Sequence, residues 1–213
     1  MTAEGAVPEP TAKAGEEHVN TTRAVPLLNI ANVLTMSRLV LVPLFLLALF
    51  AVGGHDPVWR WVATAVFALA SITDRIDGDL ARRRGLITDF GKVADPLADK
   101  ALTGAALVGL SVLGDLPWWV TSTIIARELI VTLLRFWVIR HGVIPASRGG
   151  KLKTMLQAIA IALYLIPLGE FGEPLRWTVM GAAVVATVVT GLDYTVRALR
   201  LRAVGRRARG GRA

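Results

Sequence analysis

Four aspartates in one short stretch of the chain are the residues best suited to chemistry. Asp74 and Asp77 are three residues apart, and Asp95 and Asp99 are four apart. On helices, both spacings put the two side chains of a pair on one face. Two antiparallel helices joined by a short turn would point all four carboxylates at one another, where they repel strongly away from water. Two divalent cations would cancel the formal charge of −4.

The identity of the ligands predicts the kind of metal. A set of oxygen ligands without His or Cys selects hard cations, so Mg²⁺ or Mn²⁺ is expected rather than zinc. The alternative is that each aspartate caps a helix or faces water, which is the better account of Asp79 and Asp89. That alternative is weaker for the four paired aspartates, because charge near hydrocarbon is costly.

Residues around the aspartates favour a phosphorylated ligand. Gly78 and Gly91 leave room for a bulky ligand to approach the backbone, although a helix contact or a turn would explain either glycine alone. Arg82 follows Asp77 by one and a half helical turns and can reach a phosphate. Metals, an arginine and a site at a membrane together suggest phosphoryl transfer.

The elements that carry these residues are predicted to be membrane helices. Of the 213 residues, 54% are hydrophobic and only 19% are charged, which favours a membrane protein over a soluble bundle. Six apolar stretches follow one another: 39–54, 61–73, 101–114, 116–134, 154–169 and 177–192. Each stretch must be extended by flanking residues to reach the roughly 20 residues that a transmembrane helix needs. The sequence predicts an all-α, polytopic membrane protein with about six transmembrane helices.

The ends of the chain have a different composition. Residues 1–26 are predicted to be a flexible N-terminal tail, residues 27–196 the transmembrane domain, and residues 197–213 a basic C-terminal tail. The arginines of that tail would suit a nucleic-acid arm in isolation. Beside a membrane span they are more simply a topology signal and a contact for anionic lipid, so no nucleic-acid partner is expected.

The distribution of positive charge predicts the orientation. The net charge is +8, and with six spans nearly all Lys and Arg fall on one side, which is then cytoplasmic. Both termini and the aspartates share that side. The opposite side has only Arg60 and Arg176, together with an interfacial aromatic belt. The belt consists of Trp59, Trp61, Trp118, Trp119 and Trp177.

The aspartate stretch resembles the signature of the CDP-alcohol phosphotransferase family. Eight residues over 26 positions match it without a departure: Asp74, Asp77, Gly78, Ala81, Arg82, Gly91, Asp95 and Asp99. The resemblance implies a six-helix membrane domain in which an alcohol displaces CMP from a CDP-linked substrate at a two-metal site. It implies that all four aspartates ligate metal and that Asp99 also accepts the proton of the attacking hydroxyl. Gly78, Ala81, Arg82 and Gly91 would line the cytidine diphosphate site.

Three shorter segments look like bacterial phosphatidylglycerophosphate synthases, a branch of this family. They are residues 29–43, 126–129 and 150–154. The resemblance implies CDP-diacylglycerol and glycerol 3-phosphate as partners, besides membrane lipids. It also puts Asn32, Thr35 and Arg38 beside the donor, although Asn32 and Thr35 could instead cap the first span.

The remaining basic residues predict a site for the acceptor phosphate. Arg148, Lys151 and Lys153 lie on the cytoplasmic side, where the positive-inside rule alone would also explain them. Arg127 and Arg135 lie on the preceding span, and Glu128 is assigned a structural role. Rival functions are a sister enzyme that uses inositol phosphate, or phosphatidylglycerol as a cardiolipin synthase does, and an ion-coupled transporter, although the chain shows no repeated halves. The oligomeric state stays open, with a homodimer as one alternative.

Overall fold

The computed structural model describes residues 30–84, 89–138 and 148–210, with side chains except at positions 30–35, 38, 74–84, 89–99, 136, 138, 148 and 203–210. The described chain is helical and contains no strand, which confirms the all-α prediction. Six long helices follow in order: α1 (Ile30–Phe50), α2 (Pro57–Arg84), α3 (Asp89–Val112), α4 (Trp118–Val138), α5 (Arg148–Leu165) and α6 (Glu173–Gly210). Each contains most of one predicted apolar stretch, extended by flanking polar residues.

The start of α2 shows how the sequence sets a helix boundary. A short 3₁₀ turn, Ala51–Gly54, follows α1 and includes Gly53 and Gly54 at φ values of 77° and 82°. Asp56 then caps α2, because its Oδ1 accepts the backbone N–H groups of Val58 and Trp59, each at 3.0 Å. Pro57 occupies the first helical position, where its missing N–H costs nothing.

The helices pack around one apolar core. Helix α1 contacts α2 and α3, while α6 contacts α4 and α5. Phe45 of α1 and Phe67 of α2 are buried at the first of these contacts, with ring centroids 5.9 Å apart. A Cβ atom at Gly109 would lie 2.6 Å from Cδ2 of Leu49, so glycine lets α3 approach α1 closely.

The outer surface of the bundle is apolar. Leu47, Leu133, Val185 and Leu192 are each more than 60% exposed, and a belt of such residues is typical of a lipid-facing surface. The segment Glu170–Arg202 is long and apolar enough to cross a membrane. Shorter apolar helices within the described ranges lie at Leu39–Gly54, Pro57–Thr73 and Lys100–Val112.

One end of the bundle, here called the turn end, contains the α1–α2, α3–α4 and α5–α6 connections. The predicted belt residues Trp59, Trp118 and Trp177 are exposed there, near the starts of α2, α4 and α6. Arg60 and Arg176, predicted for this side, also lie near the starts of α2 and α6. The turn end therefore has the features that the sequence predicts for the side opposite the aspartates.

Helix α6 continues through the predicted boundary between the transmembrane domain and the basic tail. It runs to Gly210, so residues 197–210 are part of one 38-residue helix. Ala198 is fully buried, and the guanidinium carbon of Arg202 lies 3.8 Å from the centroid of the Trp137 ring. The first part of the predicted tail thus packs against α4.

Candidate active site

A basic cavity of about 290 Å³ lies at the end of the bundle opposite the turn end. Side chains from α3, α4, α5 and α6 line it. Among its described lining residues, six are basic and two are acidic: Lys100, Arg127, Arg135, Lys151, Lys153 and Arg197, with Glu128 and Asp193. The excess of cations favours an anionic ligand, and clustered Arg and Lys are typical of phosphate sites.

Glu128 links two of these cations and thereby joins α4 to α5. Its Oε1 accepts a hydrogen bond from Nη1 of Arg127 at 2.9 Å and another from Nζ of Lys153. The exposed fractions of the Arg127, Glu128 and Lys153 side chains are 15%, 25% and 6%. One carboxylate therefore holds two partly buried cations, Arg127 and Lys153, in fixed positions at the cavity.

Arg127 also joins α4 to α6. Its Nε donates to the backbone oxygen of Thr187 at 3.2 Å, and its Nη2 donates to Oγ1 of Thr190 at 2.9 Å. A Cβ atom at Gly191 would lie 2.9 Å from Cγ of Arg127, so glycine at that position makes room for the arginine. Every guanidinium nitrogen of Arg127 has a protein partner, and its contact with an acceptor stays a prediction.

Lys100 joins α3 to the same cluster. Its Nζ donates to Oγ1 of Thr132, which donates to the backbone oxygen of Glu128 at 2.7 Å. Lys100 directly follows Asp99 in the chain. A lining residue of the cavity thus directly follows the last aspartate of the motif.

The rim of the cavity carries cations of a different kind. Arg135 and Lys151 are exposed, and within the described part of the chain no hydrogen bond or ion pair involves either side chain. Arg197 is half exposed and bonds Oδ1 of Asp193 through its Nε at 3.0 Å. The rim can therefore attract an incoming anion, while the interior cations have fixed positions.

The four aspartates lie on the helices that the spacing predicts. Asp74 and Asp77 are in α2, and Asp95 and Asp99 are in α3, which contacts α2. Their side chains are outside the described part, and among the described residues no group of three His, Cys, Asp or Glu could hold a metal. The metal site stays a prediction: four carboxylates from two adjoining helices would form an oxygen-only donor set, which suits Mg²⁺ or Mn²⁺.

The other predicted site residues also lie on helices, and their side chains are outside the described part. Asn32, Thr35 and Arg38 are in α1, Gly78, Ala81 and Arg82 in α2, Gly91 in α3, and Arg148 begins α5. Asn32 and Thr35 lie inside α1, after its first residue Ile30, whereas an N-cap residue comes before the first helical residue. Their roles toward the donor stay predictions.

Seven described residues of the cavity have no individual role in the sequence analysis and lie outside its three family-like segments. They are Lys100, Val131, Thr132, Thr190, Asp193, Tyr194 and Arg197. Lys100 could have been found by its position beside Asp99. Asp193 and Arg197 have a helical i, i+4 spacing that favours a pair on one face. Nothing in the sequence distinguishes the two threonines from others.

The chain is similar to a defined family of enzymes. A model described as CDP-alcohol phosphatidyltransferase matches residues 28–189. The probable phosphatidylglycerophosphate synthase of Mycobacterium tuberculosis is 60% identical over 172 residues, which cover 81% of this chain and 82% of the relative. The CDP-diacylglycerol–glycerol-3-phosphate 3-phosphatidyltransferase of Bacillus subtilis is 37% identical over 78% of this chain and 93% of its own length.

The range of the family match, residues 28–189, spans the positions of all four aspartates and of the five predicted acceptor-side residues. The chain therefore belongs to the CDP-alcohol phosphatidyltransferase family. The resemblance carried by the aspartate motif is confirmed at the level of the family.

Proposed function

We propose that this chain is a membrane enzyme that transfers the phosphatidyl group of CDP-diacylglycerol to sn-glycerol 3-phosphate, giving phosphatidylglycerophosphate and CMP. The observation that carries the proposal is the basic cavity, whose lining includes Lys100, the residue that follows Asp99 in the chain. The names of the two relatives support the same donor and acceptor.

The cavity has the charge that the acceptor requires. The phosphate of glycerol 3-phosphate is attracted by the rim cations Arg135 and Lys151 and bound deeper beside Lys153. A fixed phosphate orients the far hydroxyl and so converts a bimolecular encounter into attack within a complex. Glu128 and the threonines hold the interior cations in place while this happens.

The reaction then needs one proton transfer and one displacement. The 1-hydroxyl oxygen of the acceptor attacks the phosphorus that carries the diacylglycerol, and the bond from that phosphorus to the oxygen of CMP breaks. The hydroxyl proton passes to the carboxylate of Asp99, as general-base catalysis requires. Asn32, Thr35, Arg38, Gly78, Ala81, Arg82 and Gly91 would bind the CDP part of the donor.

Two divalent cations would be held by Asp74, Asp77, Asp95 and Asp99. When bound, such cations neutralise a pyrophosphate and stabilise a departing phosphate group. A matched comparison tests the assignment, because Asp79 and Asp89 lie near the four ligands but off their pattern. Asp74→Asn and Asp95→Asn should abolish turnover, whereas Asp79→Asn and Asp89→Asn should retain it.

The proposal includes six membrane spans with the reaction on the cytoplasmic side. The exposed tryptophans of the turn end and the basic cavity at the other end support this orientation, because Trp marks membrane interfaces and Lys and Arg mark the cytoplasmic side. Single cysteines introduced into the cysteine-free chain would test it. Labelling from outside intact cells is expected at position 170 in the α5–α6 connection and not at position 151.

The function is tested with purified protein in detergent. CMP release is measured with CDP-diacylglycerol and, in turn, glycerol 3-phosphate, inositol phosphate, phosphatidylglycerol and glycerol. The proposal is supported if, of the four acceptors, only glycerol 3-phosphate gives rapid release of CMP. This release should be lost in EDTA and restored by Mg²⁺ or Mn²⁺. Preference for another acceptor would show that the chain has the activity of a sister enzyme and would overturn the assignment of glycerol 3-phosphate. If no acceptor gives CMP release, the whole proposal is overturned.

A further inference from the structure

Glu128 of α4 is one of the two acidic residues in the described lining of the basic cavity, and its two carboxylate oxygens differ. Oε1 accepts hydrogen bonds from Arg127 and Lys153. Oε2 accepts none from the described part of the chain. Three side-chain atoms in that part are buried without a partner, and none of them belongs to Glu128. Oε2 is therefore accessible from the cavity that Glu128 lines.

The charge around Oε2 restricts the kind of group that can bind there. A carboxylate that is paired with cations accepts hydrogen bonds and donates none, so its partner must be a donor. The carboxylate repels a phosphate, and the six basic residues of the described lining repel an ammonium group. A hydroxyl group is uncharged and donates one hydrogen bond. Oε2 thus fits a hydroxyl of a ligand whose anionic group lies elsewhere in the cavity.

The contacts of Glu128 link it to two parts of the proposed site. On the α5 side, Oε1 accepts Nζ of Lys153, the cation proposed to bind the acceptor phosphate. On the α3 side, the backbone oxygen of Glu128 accepts the hydroxyl of Thr132, which accepts Nζ of Lys100. Lys100 directly follows Asp99, the proposed base. In glycerol 3-phosphate, the 2-hydroxyl likewise lies between the phosphate and the attacking 1-hydroxyl.

We infer that Oε2 of Glu128 accepts a hydrogen bond from the 2-hydroxyl of glycerol 3-phosphate and that this bond selects the acceptor. The inference rests on the proposed function, which supplies the acceptor, and it gives Glu128 a role in binding besides holding two cations. The phosphate, the 2-hydroxyl and the 1-hydroxyl then each have a fixed contact. Because three groups around one carbon are fixed, Glu128 should select both the presence of the 2-hydroxyl and its configuration.

An acceptor that lacks only this hydroxyl tests the bond from the substrate side. 3-Hydroxypropyl phosphate keeps the phosphate and the attacking hydroxyl but has no 2-hydroxyl. CMP release is measured with CDP-diacylglycerol and either acceptor, and the two values of kcat/KM are compared. The native protein should prefer glycerol 3-phosphate about ten- to a hundredfold, the usual loss when a hydrogen bond to a charged group is removed. Equal use of the two acceptors would overturn the inference.

Glu128→Gln tests the same bond from the protein side. The amide oxygen of glutamine can still accept from Arg127 and Lys153, whereas its Nε2 donates and cannot accept the hydroxyl hydrogen. The preference should fall to within about threefold of equal use, because the bond is lost with glycerol 3-phosphate alone. A changed attraction for the phosphate cancels in this ratio, since both acceptors carry one. Equal losses with both acceptors would mean that Glu128 only holds the cations, which would overturn the inference.

Asp193→Asn is the matched control. Asp193 is the other carboxylate of the described lining, and its Oδ1 accepts Nε of Arg197. The substitution removes the same charge at the rim of the same cavity, so its preference for glycerol 3-phosphate should equal that of the native protein. A preference that falls equally in Glu128→Gln and Asp193→Asn would assign the effect to charge alone and overturn the inference.

The enantiomer of the acceptor provides a further measurement. sn-Glycerol 1-phosphate has the same groups with the opposite configuration at the central carbon. The native protein should prefer sn-glycerol 3-phosphate about tenfold or more, and Glu128→Gln should reduce this selectivity. Equal use of the two enantiomers by the native protein would overturn the inference even if Glu128→Gln does not fold.

The outcomes separate this inference from the proposed function. CMP release by the native protein with glycerol 3-phosphate tests the proposed function first, and its absence would overturn both. If release is present and Glu128→Gln keeps the native preference, only the inference is overturned. The Michaelis constant of Glu128→Gln for CDP-diacylglycerol should stay within about twofold of native. A selective rise in that constant would assign Oε2 to the donor and also overturn the inference.

Discussion

The two ends of the bundle both have buried cations, but they use them differently. At the turn end, Arg60 donates to the backbone oxygens of Gly54 at 2.5 Å and Tyr164 at 3.4 Å, and to Oδ2 of Asp115. Arg176 donates to the backbone oxygens of Leu163 and Ile166, at 3.0 and 2.6 Å. These arginines complete hydrogen bonds that the end of α5 leaves open, a favourable role for a cation at a helix C-terminus.

At the cavity end, the cations lie where a helix does not favour them. Lys151 and Lys153 are in the first turns of α5, which has no acidic residue in its first turn. The positive end of the helix dipole repels cations there. Among the described residues that line the cavity, six are basic and two are acidic, and the side chains of Arg135 and Lys151 have no hydrogen-bond or ion-pair partner in the described part. Each buried arginine of the turn end thus has protein partners, whereas among the described residues that line the cavity the cations outnumber the carboxylates.

The largest effect is expected from a substitution at the cavity end that removes the proposed base and leaves the turn end unchanged. Asp99→Asn keeps the shape of the side chain but removes the proposed base, so turnover should fall about a hundredfold or more while CDP-diacylglycerol still binds. CMP release and donor binding are the measurements. Asp115→Asn is the matched change at the turn end and should leave turnover within a few-fold of native. Equal losses in both variants would remove the distinction between the two ends.

The next effect concerns Lys153, a buried cation of the basic cavity. Lys153→Ala removes a buried charge-assisted partner of Glu128 and of the acceptor phosphate, so the Michaelis constant for glycerol 3-phosphate should rise about tenfold or more. The value for CDP-diacylglycerol should change little. Arg176→Ala is the control, because it removes a cation whose partners are backbone carbonyls. If Lys153→Ala alters only thermal stability, Lys153 is structural, as Arg176 is.

These comparisons show which parts of the site can be predicted from the sequence. The helices that carry the paired aspartates follow from local spacing, because i, i+3 and i, i+4 positions share a helix face. The basic character of the cavity end follows from the distribution of Lys and Arg along the chain. The run of arginines from Arg197 onward predicts a tail and does not reveal that α6 continues to Gly210. Lys100 and Arg197 lie almost 100 residues apart, and only the packing of the helices brings them to one cavity.

Arg60 shows the same limit at the turn end. Its place on the side opposite the aspartates was predicted from the charge distribution. Its bond to Tyr164, which is 104 residues away, could not be predicted, because it depends on how α2 and α5 pack. Local rules therefore predict where a charge lies along a helix, and tertiary contacts decide whether a ligand or the protein balances it.

A substitution at the turn end should lower the stability of the protein and leave its kinetic constants unchanged. Arg60→Met keeps much of the apolar stem but leaves Asp115 and two backbone oxygens without their donor, so unfolding should become easier by about 1–3 kcal/mol. The midpoint of thermal unfolding in detergent should fall accordingly. The Michaelis constants of the folded protein should stay native. A selective loss of acceptor affinity would show that the turn end also contributes to binding.

The smallest expected effect separates the rim of the cavity from its interior. Arg135 and Lys151 are exposed, so water and salt screen their attraction for an anion more than they screen a buried charge. Arg135→Gln and Lys151→Gln should each raise the Michaelis constant for glycerol 3-phosphate about two- to fivefold at low salt. Raising the ionic strength should bring the native protein toward the variants, because the Debye length falls to about 3 Å at 1 M salt. The tenfold effect of Lys153→Ala should persist under the same conditions, since Lys153 is buried. A salt-independent defect in the rim variants would mean that these cations touch the bound phosphate directly, as the interior cation is expected to do.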